Sequence, residues 1–441
     1  MSSKAQEEMV SAPAPTNLRR AERLTRLLVL LFAFSMAFMQ PPLRLLGFYS
    51  VPSDFIFLAL AAIWALLVMQ RQTPLVLDRG YYFIGAYFLA MLASAAARDV
   101  PLASATKLLT QLYLVSIPLL VCNLVRDETM LRHAVRWWLA GAAVVAAVGV
   151  ASLILFAANP DHHLLDYTRF HFGTLPNGHY PRLRLTFLIA NLACNYLTVS
   201  LMLLLAAGRL GWVSKISFLL LIGGILVAAA STISPGLGGI ALAGGLWIWL
   251  VLRDSRGSIA RLFLASGIVA ALLFVAAMAV TPILHPTAPF LIHVPGLEAP
   301  LAPAGRLMIW IDAANNFLEE PLLGRGIGSD AVMVRYQDPS GNLQRLTDAH
   351  NMFLSIAVQC GVVGLAALFG LIGHIVRRTV PLRLPGNNNA GVLRVAIGLG
   401  LLNGLVYQGL GGSFEDARHL WFAVGLLFAC DSIERSAARA S

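Results

Sequence analysis

Residues 134–157, AVRWWLAGAAVVAAVGVASLILFA, decide the fold class of this chain. Arg136 is their one charged residue, and the 21 residues that follow it carry no charge. The hydrocarbon core of a bilayer is ~30 Å thick, so a helix needs ~20 apolar residues to cross it. The stretch has this length and this composition, and it predicts a membrane-spanning helix.

The rest of the chain repeats this pattern. Of its 441 residues, 58% are hydrophobic and 12% are charged, and the mean hydropathy is +0.74. Such values are typical of a membrane protein, and windows of ~20 apolar residues find about twelve spans. We therefore predict an all-α polytopic membrane protein. The predicted spans are residues 27–47, 54–70, 81–97, 102–124, 134–157, 185–207, 213–230, 235–252, 259–281, 351–376, 391–410 and 414–433.

The first span is similar in composition to the core of a signal peptide, but we interpret it as a retained helix. Glu7 and Glu8 precede it, no small-x-small cleavage site follows it, and the next span comes at once. A signal peptide would have a basic start and a cleavage site.

Arginine and lysine in the short loops predict the orientation. Alternate connections are basic, which marks them as cytoplasmic and puts both termini inside. The net charge of +10 follows largely from this topology, so we expect anionic lipid headgroups of the bilayer, and no nucleic acid, as its partner. The basic residues of these connections are Arg19, Arg20, Arg23, Arg26, Arg71, Arg79, Arg126, Arg132, Arg136, Arg209, Lys215, Arg253, Arg256, Arg261, Arg377, Arg378, Arg383, Arg435 and Arg439.

Two connections are long, and both fall on the predicted outer side. They are residues 158–184 and residues 282–350, and a loop as long as the second usually has its own structure and often a function. The predicted divisions of the chain are a cytoplasmic tail at 1–26, nine spans within 27–281, an outer module at 282–350, three spans within 351–433 and a cytoplasmic tail at 434–441.

The stretch GRLMIWIDAANNFLEE, residues 305–320, predicts an amphipathic helix within the outer module. Its apolar residues recur at three-to-four residue spacing, which puts them on one face. Pro321 ends the helix, and the glycines of the following PLLGRGIGSD allow turns that other residues resist. The predicted apolar face consists of Leu307, Trp310, Ile311, Ala314, Phe317 and Leu318.

Three arginines on the outer side are candidates for binding a diphosphate. Arg182 and Arg184, in YPRLRLTFLIAN, lie where an outer loop enters the sixth span, and Arg306 opens the amphipathic helix. A guanidinium gives a phosphate two parallel charge-assisted hydrogen bonds, which lysine cannot match. The alternative is that these side chains reach the lipid headgroups.

His350 is the candidate general base. It stands where the outer module gives way to the tenth span, and a reference pKa near 6.5 suits proton transfer from a sugar hydroxyl. Asn351 or Asp348 would orient its ring. The alternative is a histidine at a helix start that caps the helix or touches headgroups.

The segment NPDHHLLDYTRFHFGTLPNGH, residues 159–179, raises the question of a metal site. The spacing of its acids and histidines matches neither a closed zinc site nor a two-histidine helix motif. Glu319 and Glu320 are adjacent, so on a helix they point ~100° apart and do not flank one bond. We expect neither a metal nor a cofactor.

Residues 305–330, GRLMIWIDAANNFLEEPLLGRGIGSD, and residues 348–366, DAHNMFLSIAVQCGVVGLA, follow each other in the chain. Together they resemble the signature of the O-antigen ligase and polymerase superfamily of bacterial inner membranes. The matching positions are Arg306, Trp310, Pro321, Leu322, Leu323, Gly324, Gly326, Gly328, His350, Asn351, Leu354, Gly361 and Gly364.

A second stretch, RLRLTFLIANLACNYL at residues 182–197, is similar to a family segment in which an arginine precedes a phenylalanine and an asparagine. Arg182, Phe187 and Asn191 fit this pattern, and Arg184 could substitute for Arg182. One segment departs from the family. Where many members have Thr-x-Ser-Arg, residues 232–235 read Thr-Ile-Ser-Pro, so Arg182, Arg184 or Arg306 would have to serve in place of that arginine.

The resemblance implies a GT-C-like fold with about twelve spans and a metal-independent, inverting glycosyltransferase. It also implies a glycan on undecaprenyl diphosphate as donor, a sugar hydroxyl of lipid A-core as acceptor, and an active site on the periplasmic face of the inner membrane. His350 would then be the base, and Arg182, Arg184 and Arg306 would hold the diphosphate.

Three alternatives stay open. A polymerase or a protein oligosaccharyltransferase would use the same donor with another acceptor. A carrier of lipid-linked sugars would need a polar path through the bundle, whereas the polar residues collect on one face. A structural scaffold would leave the outer module without a purpose.

Overall fold

The computed structural model describes most of the chain. Within it, only the backbone is described for residues 16–21, 102–104, 305–308, 406–408 and 440 and for the strand residues other than Leu43 and Ser50. The described residues are 16–45, 48–70, 75–97, 102–169, 174–175, 178–179, 181–234, 236–252, 305–328, 334–337, 343–346, 349, 351–379, 384, 388–408 and 417–440.

The described part is mainly helical. Its helices are α1 (Thr16–Ser35), α2 (Pro52–Met69), α3 (Gly80–Ala96), α4 (Leu102–Leu124), α5 (Glu128–Ala158), α6 (Leu165–Thr168), α7 (Ala190–Arg209), α8 (Lys215–Ser231), α9 (Gly236–Leu252), α10 (Gly305–Glu319), α11 (Met352–Thr379), α12 (Asn389–Gln408) and α13 (Arg418–Ala440). Short strands form three antiparallel hairpins, which pair β1 (Leu43–Leu45) with β2 (Phe48–Ser50), β3 (Thr174–Leu175) with β4 (Gly178–His179), and β5 (Val334–Gln337) with β6 (Leu343–Leu346).

Polar residues placed before the apolar runs start several helices. The Asp127 carboxylate accepts a hydrogen bond from the Met130 amide at 2.7 Å and begins α5. The Ser214 hydroxyl accepts one from the Ser217 amide at 3.2 Å and begins α8. Such caps satisfy amides that a helix leaves without an internal partner.

Helices overlap all the predicted spans except 259–281, which lies outside the described residues. The first prediction was wrong in its limits, because α1 begins at Thr16, within the predicted tail, and ends at Ser35. Pro41 and Pro42 follow soon after this end, and proline lacks the amide that a helix interior needs. Hydropathy alone could not separate this helix from the apolar turn after it.

Five of the described helices are long and apolar enough to cross a membrane, and four more are apolar but shorter. The long spans are Pro52–Met69, Ala105–Leu124, Glu128–Ala158, Ala190–Arg209 and Met352–Thr379. The chain is therefore a multi-pass membrane protein. The total of twelve spans and the GT-C-like architecture stay predictions.

Helices α7 and α13 lie at the centre of the bundle. α7 packs against α5, α8, α9 and α12, while α13 packs against α4 and α12. Most side chains of α7 are buried, including Tyr196, which stacks on Trp138 of α5 with ring centroids 5.0 Å apart. The core is continuous across these helices.

A buried carboxylate joins three helices at the predicted cytoplasmic end of the bundle. The side chain of Asp78 is fully buried, and it accepts hydrogen bonds from the Gly80 amide at 2.8 Å, Arg378 at 3.1 Å and Arg435 at 2.8 Å. Burial by itself would raise the pKa of Asp78. Hydrogen bonds from His374 and Gly80, together with the charges of Arg378 and Arg435, instead hold this pKa well below its usual range.

Candidate functional site

The segment before α7 presents its two arginines on one side. Leu183 and Leu185 are buried, while Arg182 and Arg184 are only partly buried. Residues two apart in an extended chain point to the same face, so this alternation buries the leucines and turns both arginines away from them. The sequence pattern RLRL thus sets the direction of both guanidinium groups.

Neighbouring segments hold this backbone in place. The Leu183 amide donates to the Ser231 carbonyl at 2.9 Å, and the Arg184 amide donates to the Thr168 carbonyl at 2.7 Å. The Thr186 carbonyl accepts from the Met39 amide at 2.9 Å. The ends of α1, α6 and α8 therefore meet at the start of α7, all on the predicted outer side.

Arg182 connects two stretches that lie far apart in sequence. Its Nε donates to the Thr232 carbonyl at 3.2 Å, and its Nη2 donates to Asn191 Oδ1 at 3.3 Å. The Ser234 hydroxyl donates to the same Asn191 oxygen at 2.9 Å. Thr232, the first residue of the segment that departs from the family pattern, is thus bonded directly to the arginine expected to replace the missing one.

Arg184 has a different set of partners. Its Nη2 donates to the Asp166 carbonyl at 2.9 Å, so it binds the outer loop that follows α5. Its Nε is buried and has no hydrogen-bond partner in the described residues. The two arginines share a face but have separate protein partners.

The other two predicted site residues, Arg306 and His350, have no described side chain. Arg306 is in the first turn of α10, where only the backbone is described, and both His350 and Asp348 lie outside the described residues. The roles of all four site residues stay predictions.

Both chain neighbours of His350 are anchored. The Ala349 carbonyl accepts a hydrogen bond from Trp310 Nε1 at 3.0 Å. Asn351 Oδ1 accepts hydrogen bonds from the amides of Phe353 at 3.0 Å and Leu354 at 3.2 Å, which makes Asn351 the cap of α11. The sequence allowed His350 to cap the helix, but Asn351 supplies the cap. The Asn351 side chain was also a candidate to orient the histidine, and its oxygen is bonded to the helix amides instead.

Two glycines join the turn after α10 to α11. Gly361 has φ +62°, and a Cβ built there would lie 2.2 Å from the Leu322 carbonyl oxygen. Gly324 has φ +71°, and its Cβ would lie 2.5 Å from the Val358 carbonyl oxygen. Because the backbones are so close, the Arg325 amide donates to the Val358 carbonyl at 2.7 Å. This contact gives a physical reason for Gly324 and Gly361 in the family pattern.

Sequence reasoning missed a polar contact beneath this junction. Lys107 Nζ of α4 donates to Gln359 Oε1 at 2.7 Å, and the Gln359 carbonyl accepts from the Ser94 hydroxyl of α3. Lys107 is the one charged residue in the predicted span 102–124. A charged residue inside a membrane span by itself indicates a functional site, so Lys107 was the sequence signal for this contact.

The buried face of α10 differs from the predicted one. Ile309 and Ala313 pack with Ala349 and Val358. Ile311 is 46% exposed and Leu318 is 71% exposed, so these two residues of the predicted apolar face do not pack against the protein. Apolar residues occur on both sides of this helix, and spacing alone does not tell which side packs against the protein. The side chain of Leu307 is not described.

The acid- and histidine-rich outer loop has local contacts in its described part. His162 stacks on His163 with ring centroids 4.6 Å apart, and Arg169 forms an ion pair with Asp166 at 3.5 Å. In the described residues, no group of three or more His, Cys, Asp or Glu side chains is placed to hold a metal ion. His171 lies outside the described residues, and metal independence stays a prediction.

Comparison with known protein families gives one match. Residues 194–369 match the family described as O-antigen ligase. This match covers less than half of the chain and supports an O-antigen ligase assignment for that part. The matched part contains α10, the glycine junction and the start of α11, whereas Arg182, Arg184 and Asn191 precede it. No curated protein sequence matches the chain.

The match supports an activity of the O-antigen ligase or polymerase type in general terms. Proteins of this family are ligases or polymerases of the glycosyltransferase kind, and lipid-linked glycans and lipid A-core are their general kinds of substrate. The apolar helices agree with this membrane setting.

Proposed function

We propose that this protein transfers a glycan from undecaprenyl diphosphate to a sugar hydroxyl of lipid A-core, with inversion at the anomeric carbon and without a metal. The observation that carries the proposal is Arg182, a guanidinium held at the outer ends of α7 and α8 by Thr232 and Asn191. A donor with an anionic diphosphate headgroup and a lipid tail fits such a cation at the end of apolar helices.

His350 is the general base of the proposed reaction. The acceptor hydroxyl oxygen attacks the anomeric carbon, and its proton passes to the His350 imidazole. The bond between the anomeric carbon and the phosphate oxygen breaks, and undecaprenyl diphosphate leaves with that electron pair. A base of this kind typically contributes 10²–10⁴-fold to a rate.

Arg182, Arg184 and Arg306 hold the diphosphate. Negative charge grows on the leaving phosphate as the bond breaks, so fixed guanidinium groups stabilise the transition state more than the ground state. A diphosphate that leaves as an anion requires no general acid, and with several arginines beside it no metal. The same three residues thus bind the donor and assist its departure.

The proposed setting is the bacterial inner membrane with both termini in the cytoplasm. The donor tail lies in lipid beside the protein while its headgroup reaches the periplasmic face beneath the module at 282–350. The predicted orientation supports this, because Arg182, Arg184, Arg306 and His350 all fall on the outer side.

The test uses purified protein with an undecaprenyl-diphosphate-linked glycan and lipid A-core. We expect His350→Ala to lose at least 100-fold in transfer rate while keeping the thermal stability of the wild type, and we expect a chelator to leave the wild-type rate unchanged. A folded His350→Ala variant with near wild-type transfer would falsify the role of the base. A chelated enzyme that recovers only with added metal would exclude the metal-free mechanism.

The acceptor in the same assay distinguishes ligase from polymerase. Without lipid A-core, a ligase leaves the donor glycan at its starting length, whereas a polymerase extends it. Extension of the donor in that reaction would replace the proposed acceptor by a second lipid-linked glycan.

A further inference from the structure

We infer that Asn191 is a positioning residue that sets the orientation of the Arg182 guanidinium toward the donor diphosphate. This inference rests on the proposed function. Asn191 is in the first turn of α7, and its Oδ1 accepts hydrogen bonds from Arg182 Nη2 at 3.3 Å and from the Ser234 hydroxyl at 2.9 Å. One side-chain oxygen therefore connects the arginine to the turn between α8 and α9.

The contacts of Arg182 fix one edge of its guanidinium. Nε is bound to Thr232 and Nη2 to Asn191, so the plane of the group is defined by two protein acceptors. A guanidinium has a second edge, formed by Nη1 and Nη2, and this edge has the fork geometry that suits phosphate oxygens. The acceptors on the first edge thus orient the second edge.

The acceptors are themselves fixed. The Ser234 hydroxyl accepts from the Gly236 amide at 3.2 Å while it donates to Asn191, and the Thr232 hydroxyl donates to the Ala229 carbonyl at 2.6 Å. Thr232 and Ser234 are both buried. A charged group held by buried, hydrogen-bonded neighbours does not reorganise when the reaction begins, which is how fixed dipoles and charges lower a barrier.

Arg184 provides the internal comparison. It lies two residues away on the same face, yet its partner is the Asp166 carbonyl and not Asn191. If Asn191 acts through Arg182, the loss of donor kcat/KM caused by replacing Asn191 will require Arg182. The same loss will not require Arg184. The free-energy effects of mutations at residues in contact are not additive, whereas those at distant, independent residues are.

The experiment measures kcat/KM for the undecaprenyl-diphosphate-linked glycan and KM for lipid A-core. Asn191→Leu is expected to lower the donor kcat/KM about 10-fold, since a hydrogen bond to a charged group contributes about 1.5 kcal/mol or more. The acceptor KM is expected to stay within 2-fold. Ser234→Ala, which removes one of the two bonds to Asn191 Oδ1, is expected to lower the donor kcat/KM about 3-fold.

Double variants decide whether the effect passes through the arginine. In an Arg182→Gln background, Asn191→Leu is expected to cost less than 2-fold more, whereas in an Arg184→Gln background it is expected to cost its full 10-fold. Asn403→Leu is the matched control, because Asn403 is a buried asparagine in α12 whose amide donates to Leu399 of its own helix. It is expected to leave the donor kcat/KM unchanged.

Two results overturn the inference in different ways. If Arg182→Gln lowers the donor kcat/KM and Asn191→Leu leaves it unchanged, or lowers it equally in both arginine backgrounds, Asn191 is structural and the proposed function stands. If Arg182→Gln itself leaves the donor kcat/KM unchanged, the proposed phosphate role of Arg182 fails, and the role of Asn191 fails with it.

Discussion

Gly361 shows how much one residue without a side chain contributes to the site. It lies within α11, has a left-handed backbone conformation, and is in contact with the Leu322 carbonyl. A side chain at this position would force apart the turn after α10 and the helix that follows the anchored Asn351. The glycine therefore connects the outer module to the bundle at close range.

Gly361→Ala should destabilise the protein strongly. The left-handed conformation costs a residue with a Cβ about 1–2 kcal/mol, and the contact at 2.2 Å adds a clash with backbone that cannot move alone. We expect a lower melting temperature in detergent and loss of transfer activity. Gly373→Ala, in the same helix with nothing within 4 Å of its Cβ, should instead keep or slightly raise the melting temperature. Equal stability of the two variants would contradict the close contact.

Helix α11 depends on its cap as well as on its apolar length. Asn351 accepts two amide hydrogen bonds at the start of the helix, and the family pattern of histidine followed by asparagine thereby has two separable parts. The asparagine begins the helix, and the histidine before it is left with the proposed chemistry. A cap at this point also fixes where the chain leaves the outer module.

Substitutions of Asn351 separate the role of the asparagine as a helix cap from the proposed chemistry of the histidine. Asn351→Ala should cost about 1 kcal/mol of folding stability, while Asn351→Ser, which keeps an oxygen acceptor, should cost only a few tenths. Chemical denaturation of the purified protein measures the first difference, and the transfer assay measures whether activity follows stability. If the serine variant is stable but inactive, the Asn351 amide has a role in the reaction beyond the cap.

At the scale of the whole molecule, sequence predicts the elements better than their contacts. Hydropathy located the described helices of the bundle, because a membrane-spanning helix must cross a fixed thickness of lipid. It did not locate α6 or α10, which lie outside the predicted spans. It did not locate the end of α1 or the buried face of α10, which depend on nearby prolines and on packing. The link from Arg182 to Thr232 joins residues 50 apart, and no local pattern reports such a distance.

The candidate site follows the same division. Arg182 and Arg184 were found because two cations at a span boundary are costly unless they have a purpose. Asn191 was noticed only as part of a family pattern, and its proposed role rests on its contacts with Arg182 and Ser234. Gln359 gave no signal at all, since a glutamine in an apolar helix has no spacing that predicts its partner.

The charge cluster at the other end of the molecule carries a prediction at this scale. Asp78→Asn would remove the buried acid that Arg378 and Arg435 share, although Asp431 would still pair with Arg378. Removal of one partner from a buried pair costs about 3–5 kcal/mol. We expect the lower end of this range, because the Arg435 side chain is 46% exposed and water screens it. Thermal unfolding measures the loss, and Asp161→Asn, at an exposed acid, is the control.

The pKa of Asp78 gives the sign of the pH dependence. A lowered pKa in the folded state means that the stabilisation is present above the ordinary pKa of an aspartate and is lost as the pH falls toward the folded value. The difference in melting temperature between the wild type and Asp78→Asn should therefore stay constant from neutral pH to about pH 5. A difference that shrinks within this range would mean that Asp78 is not held ionised by the arginines.

The contact between Arg182 and Thr232 has a consequence for how this site changes during evolution. The acceptor is a main-chain carbonyl, which every amino acid supplies, so mutation of the side chains around it does not remove the bond. Proline at position 235, where relatives have arginine, is a change that such a bond tolerates. Positions 191 and 234 bond through their side chains, so we expect fewer amino acids to be tolerated there. The sequence motif at residues 232–235 can therefore change while Arg182 keeps its position.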